Sequence, residues 1–299
     1  MRESPDRSRI RLSDGPAELE VAPAQGGCIT AFRWQGDGGS VDWLRPALPG
    51  AGLTPNDSAC FPLVPYSNRI RQGRFRFAGR DHRLKENFAP SPHTIHGHGW
   101  KLPWRVKAQV SARHAHINEH DGSDWPAPYR AEQHFSLHHG ALTVELAVTN
   151  TGGTAMPAGL GLHPYFPRTP DCRLTASVEG MWATDAEVMP TEPVGADLSG
   201  GLSPDATPLD NGFTGFAGRA VIDWPERRAS LTLEADPALS FLVVYTPAGM
   251  NFFCAEPVSH CTDAVNLAAE RADTGLKVLQ PGERFAAAVR FVPRRDAAS

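Results

Sequence analysis

Cysteine is sparse in this chain, and the five present, Cys28, Cys60, Cys172, Cys254 and Cys261, are widely spread with no C-x-x-C pair. That spacing argues against a disulfide framework and against a structural zinc site. Reduced thiols in the cytoplasm are the simplest account. No run approaches the ~18 uninterrupted apolar residues of a membrane-spanning helix, and the charged opening from Met1 to Arg9 lacks the apolar core of a secretory signal. Neither a G-x-G-x-x-G fingerprint nor a P-loop occurs, and strands do not alternate with helices, which removes the nucleotide-binding folds. An excess of positive charge is also missing, since Lys plus Arg number 29 against 33 Asp plus Glu, for a net charge of -4. Without a basic field, nucleic acid is not an expected partner, and neither is a membrane. A small, neutral or weakly charged ligand is expected instead.

What the chain has in quantity is punctuation, with 28 glycines and 27 prolines in 299 residues. The segments between them are short and favour strands and turns over long helices. Period-2 patterns agree: Leu142, Val144, Leu146 and Val148 alternate with Thr143, Glu145, Ala147 and Thr149, and similar alternation runs through Leu231 and Leu233 and from Phe285 to Phe291. Each reads as a half-buried antiparallel strand. The expected fold is all-β, a large antiparallel β-sandwich over residues 1–299 as a single domain. Asn150-Thr151-Gly152-Gly153 is expected to close a hairpin whose second arm carries His163, and Ala78-Gly79-Arg80-Asp81 to close another between Phe75 and Leu84. Thr262-Asp263 predicts one short helix over Ala264 to Glu270. The Gly-, Pro-, Asp- and Ser-rich stretch from Thr191 to Asp210 reads as a long surface loop. Exposed strand edges leave monomer and homodimer both open.

The chemistry concentrates in a few stretches. In Gly159-Leu160-Gly161-Leu162-His163-Pro164-Tyr165-Phe166-Pro167, an imidazole sits where an apolar strand meets proline. Alternate glycines bare one face to backbone or ligand, and His163 is either a proton donor near neutral pH or a core-edge histidine bonded to a carbonyl. Asn68-Arg69 follows the proline-stiffened run Phe61 to Tyr66, so Arg69 offers an immobilised guanidinium or satisfies loop carbonyls. His93, His96 and His98 fall within six residues; metal ligands, donors to a sugar hydroxyl and plain turn histidines are all compatible, but a carboxylate partner for metal is not visible nearby. Asp210 heads Asp210-Asn211-Gly212, by itself an Asx turn. Glu256 ends the bulky run Phe252-Phe253-Cys254-Ala255 and precedes Pro257. It is either a base whose pKa burial raises, or a solvated strand-end glutamate. Ser259, His260 and Asp263 superficially suggest a hydrolase, but they crowd into five positions without a G-x-S-x-G elbow.

Taken in order, Asn68-Arg69-Ile70 with Gly73, His96-Gly97, His163-Pro164-Tyr165-Phe166, Asp210 with Phe213, and Glu256 followed by Asp263, Ala264 and Asn266 resemble the aldose 1-epimerases, or galactose mutarotases, from about Phe61 to Asn266. The resemblance implies a β-sandwich that binds a free monosaccharide in an open cleft without cofactor or metal. It implies His163 as the general acid at the ring oxygen and Glu256 as the general base at the anomeric hydroxyl, with Asn68, Arg69, His96 and Asp210 at the sugar's oxygens. An aromatic such as Trp100 or Phe253 is expected against the sugar's apolar face. His93 and His98 depart from the family's usual Asn and Gly, which bears on the contacts at that side of the sugar. Two alternatives accompany this reading. A hexose-phosphate mutarotase on the same fold would need a basic cluster, for which Arg69, Arg71, Arg74 and Arg76 are close in sequence but alternate in direction on a strand. A non-catalytic sugar-binding protein would need no paired acid and base.

Overall fold

The computed structural model describes residues 9–36, 39–48, 54–110 and 112–295. Two large antiparallel sheets dominate, one of eleven strands and one of nine. The middle of the larger sheet runs Cys60–Leu63, Gly161–Pro167, Phe252–Val258, Phe241–Tyr245, Asp210–Thr214 in spatial order. The smaller sheet is centred on Tyr129–His138, Ala141–Asn150 and Arg284–Arg295. The alternating segments read from the sequence are strands of this second sheet, with Leu142 opposite Phe291 and Leu231 opposite Pro293. Among the described residues no helix is long and apolar enough to cross a membrane.

Between the sheets lies an apolar core that includes Phe32, Trp43, Phe166, Trp224, Phe253 and Phe291. Because side chains alternate faces along a strand, Phe253 and Ala255 enter this core while Phe252 and Cys254 join a second apolar cluster on the opposite face. Leu162 and Phe166 go inward and Tyr165 outward; Leu242 and Val244 go inward and Val243 outward. Parity therefore sends His163, Glu256 and Asp210 to the outer face. That face is itself covered, by the segment around Arg69–Ile70 and its partner Thr94–Ile95.

Four sequence expectations meet a different or sharper outcome. Asn150 does not close a hairpin onto the His163 strand. Its strand stays in the nine-stranded sheet, and its amide donates to Thr154 O (2.8 Å) and Leu279 O (2.9 Å), turning the chain across to the other sheet. The stretch from Thr191 to Asp210 is not one loop: Pro190–Val194 edges the larger sheet and Leu198–Leu202 edges the smaller. Both are short and mostly exposed, so no apolar alternation marked them. The Phe75 hairpin forms with a tighter turn than expected, Ala78 and Gly79 both taking positive φ (47° and 78°), while Arg80 and Asp81 join the strand. The helix spans only Ala264–Leu267, and Asp263 makes no side-chain cap to it. Its carboxylate instead accepts from the Arg71 amide (3.0 Å) and from Asn266 Nδ2 (2.7 Å).

Candidate active site

Strand register builds the site. Phe61 faces His163, and Glu256 faces Val243. The flanking pairs Gly161 with Val258 and Tyr165 with Cys254 place His163 directly across from Glu256. One same-face step along, Tyr165, Cys254, Tyr245 and Asp210 form the next row. Over these rows opens a cavity of about 390 Å³, within the range of small-molecule sites. Asn68, Arg69, His96, His163, Asp210 and Glu256, the six residues named from the sequence, all line it.

His163 and Glu256 touch, Nε2 lying 3.2 Å from Oε1. The imidazole stacks on Phe61 (4.4 Å between ring centres, 24°) and meets the His96 ring edge-on at 5.2 Å. Both groups are buried, and Glu256 Oε2 has no hydrogen-bond partner. Burial pushes the Glu256 carboxyl well above the usual carboxylate range, with the nearby Asp210 charge adding to the effect and Arg69 opposing it. Burial likewise pushes His163 well below the usual histidine range. Both shifts disfavour the ionised pair: a neutral imidazole beside a protonated carboxyl, with one proton on Glu256, is the form that burial favours. The solvated reading of Glu256 fails because the second apolar cluster and the covering segment exclude water from its strand face.

Arg69 donates from Nη1 to Asn68 Oδ1 (3.1 Å) and from Nη2 to Asp210 Oδ2 (3.2 Å). Asp263 brackets it, donating its amide to Arg69 O (2.9 Å) while its carboxylate accepts from the amide of Arg71, two residues on (3.0 Å). His96 takes a positive φ of 63°, and its Nδ1 accepts from the Asn68 amide at 3.1 Å. Desolvation keeps this imidazole neutral, so its hydrogen sits on Nε2.

The turn at His96 and Gly97 (φ 69°) separates histidines that an extended chain would point the same way. His98 enters a different cluster, its Nε2 3.1 Å from Asp124 Oδ1, with His120 Nε2 3.3 Å from the same oxygen. His93 accepts from the Gln72 amide and faces Glu187. Neither His93 nor His98 lines the cavity, so the expectation that they alter its sugar contacts does not hold. Neither do Trp100 and Phe253 line it: Trp100 lies behind Phe61, Phe253 is in the inter-sheet core, and the cavity's aromatics are Phe88, Tyr165, Tyr245 and Phe252. Phe252, four residues before Glu256, was discoverable by parity; Arg45, which also lines the cavity, stands beside Pro46 as His163 stands beside Pro164, but outside the motifs read above. What approaches the bare glycines is protein, since a Cβ on Gly159 would meet the His260 ring and one on Gly161 would meet Val258. Ser259, His260 and Asp263 bond to Leu160, Ser67 and Arg71 respectively and form no triad.

Two donor sets among the described residues have metal-ligand composition, His163 with Cys254 and Glu256, and His98 with His120 and Asp124. In the first, burial pushes both the Cys254 thiol and the Glu256 carboxyl upward, so an ion there would have to displace their protons. In the second, the Gly122 amide donates to His120 Nδ1, which leaves the hydrogen on the Nε2 that faces Asp124.

The family model described as aldose 1-epimerase matches residues 8–292. The chain belongs to the aldose 1-epimerase family. It is 34% identical over 264 residues to the uncharacterized protein YphB of Escherichia coli K12, covering 84% of this chain and 88% of that one. A crystal structure of a candidate aldose 1-epimerase from Escherichia coli K12 superposes with a TM-score of 0.87 at 29% identity, over 96% of this chain and 99% of the other. A galactose mutarotase-like protein from Clostridium acetobutylicum has a TM-score of 0.86 at 20% identity, over 96% and 95% of the two chains, a likeness of fold. The all-β architecture of this aldose 1-epimerase family member is thus that of its relatives.

Proposed function

We propose that this protein interconverts the α and β anomers of a free aldose, with His163 and Glu256 moving the protons. The observation that carries the reading is the buried 3.2 Å contact between His163 Nε2 and Glu256 Oε1 at the floor of the cavity. One proton shared by two groups with opposed pKa shifts is the inventory mutarotation needs, since the reaction gives one proton and takes one.

Transfer of that proton to His163 makes the reactive form. Nε2–H then protonates the ring oxygen while the Glu256 carboxylate removes the hydrogen of the anomeric hydroxyl. The bond from C1 to the ring oxygen breaks, and the C1 to O1 bond becomes the carbonyl of the open chain. Glu256 is now protonated and His163 neutral, the tautomer that burial favours. Rotation about C1 to C2 presents the other carbonyl face; reclosure returns both protons and gives the other anomer. Arg69, fixed by Asn68 and Asp210, and the Nε2–H of His96 donate to sugar oxygens, and Asp210 accepts.

Of the arginines that a hexose-phosphate enzyme would draw on, Arg69 lines this cavity but is paired with Asp210, and Arg71, Arg74 and Arg76 do not line it; Arg71 faces Asp185 and Arg76 faces Asp81. Polarimetry of freshly dissolved α-D-galactose and α-D-glucose tests the proposal. Relaxation faster than buffer, lost in His163→Asn and Glu256→Gln, supports it; saturable sugar binding with no acceleration by the wild type would make this a binding protein instead.

A further inference from the structure

Among the charged groups lining the cavity, Arg45 and Asp57 have no part in the reaction above. Arg45 is 8% exposed. Its Nη2 donates to Asn56 O (2.8 Å) and Ser58 O (2.6 Å), and the guanidinium carbon lies 4.0 Å and 4.6 Å from the ring centres of Tyr165 and Phe252. Its Nε is buried without a partner. No carboxylate among the described residues lies within the 4.0 Å of an ion pair with it. Asp57, on the same rim, turns Oδ2 to the Thr54 amide and hydroxyl (3.2 and 2.6 Å).

Asp57 acts on Arg45 only through space, without an ion-pair contact, and the other charges of the cavity are balanced. Arg69 is answered by Asp210 at 3.2 Å, His96 is neutral, and His163 with Glu256 carries one proton for one potential negative charge. A guanidinium does not shed its charge, and a buried cation is favourable chiefly when an anion meets it. Carbonyl oxygens and π faces compensate Arg45 in part and leave it able to accept an anion. Its position suits a substrate's far end: Tyr165 lies one same-face step, about 7 Å, along the strand from His163.

We infer that the aldose this site takes carries an acidic substituent, a carboxylate, sulfonate or phosphate remote from the anomeric carbon, that pairs with Arg45. The inference rests on the mutarotase reading. Its test is anomerisation by the full chain of galacturonate, glucuronate, a 6-sulfonated glucose and glucose 6-phosphate beside galactose and glucose, followed by polarimetry or NMR saturation transfer. The three anion types distinguish which acid is meant. The expected result is a kcat/KM at least about tenfold higher for one acidic aldose than for its neutral parent, with KM rising as salt is added. Arg45→Met is expected to lower the acid-to-neutral ratio about tenfold to a hundredfold, through KM rather than kcat. A wild-type measurement stands beside the variant in case loss of the Asn56 and Ser58 bonds unfolds it: methyl glucosiduronate should inhibit turnover of a neutral sugar more strongly than methyl glucoside does. Neutral sugars turned over as well as every acid, equal inhibition by the two glycosides, or a ratio unchanged in Arg45→Met overturns the assignment while leaving the mutarotase intact. No acceleration of any sugar would instead remove the mutarotase reading itself.

Discussion

Two carboxylates in this protein face an imidazole Nε2 at nearly the same distance, 3.2 Å for Glu256 and 3.1 Å for Asp124, yet their pKa values move in opposite directions. Glu256 rises because its side chain is 2% exposed and desolvation outweighs every other influence. Asp124 falls because its side chain keeps 14% of its exposure and the His98 imidazole beside it, with His120 adding to the effect, outweighs desolvation. Contact distance alone therefore does not decide which way a carboxylate's pKa moves. Water exclusion does, by making the ionised pair dear enough that a proton stays between the partners.

The largest expected effect that tests the contrast is catalytic. Glu256→Gln and His163→Asn should each lower turnover about a hundredfold to ten-thousandfold, whereas Asp124→Asn, outside the cavity, should leave kcat within a few-fold. Polarimetry of the three variants decides; comparable losses in all would erase the distinction.

A second effect concerns stability against pH. Between the ordinary values of Glu (4.5) and His (6.5), the unfolded chain holds one proton on these two side chains, as the folded pair does, so they contribute no slope. Above that window the unfolded chain releases its proton while the folded pair keeps it, and stability falls as pH rises, by at most about 1.4 kcal/mol per pH unit. Glu256→Gln removes this loss. Thermal melts at pH 6 and pH 8.5 should show the variant gaining on wild type as pH rises; a constant difference would mean that the pair does not retain its proton.

The smallest effect has the opposite sign. The folded pKa of Asp124 is depressed, so its contribution is present above the ordinary value of 3.8 and is lost as pH falls through the folded pKa. Asp124→Asn should cost about 1 kcal/mol at neutral pH, and that difference should vanish in strong acid. A stabilising Asp124→Asn at pH 8 would put the two carboxylates in one class.

Much of this was legible in advance, for local reasons. Alternation marked three strands of the nine-stranded sheet, Ala141–Asn150, Ala229–Ala235 and Arg284–Arg295, because core-facing and less buried residues alternate along them, as in Ala229–Ala235. It failed for Pro190–Val194 and Leu198–Leu202, edge strands with little apolar content. The six cavity residues were legible because they fall in motifs that resemble those of the aldose 1-epimerases in order; on local grounds His163 and Glu256 stood out, each beside a proline, whereas Asp210 read as no more than an Asx turn. Arg45 and Tyr245 were not legible: Arg45 also stands beside a proline, Pro46, but neither residue belongs to the motifs read from the sequence, and strand order and loop packing bring both to the site.

By itself, then, the sequence determined the all-β class, several of the alternating strands, and which ionisable side chains were candidates for the site, because these follow from periodicity, turn propensity and functional-group identity. Only the tertiary structure decided that His163 stands opposite Glu256, that Asn150 leads across to the other sheet, and that His96 and His98 part company. The physical reason is common to all three. Strand pairing, packing and water exclusion come from partners as far away in the chain as Phe61, His163 and Glu256 are from one another, and no local window contains them.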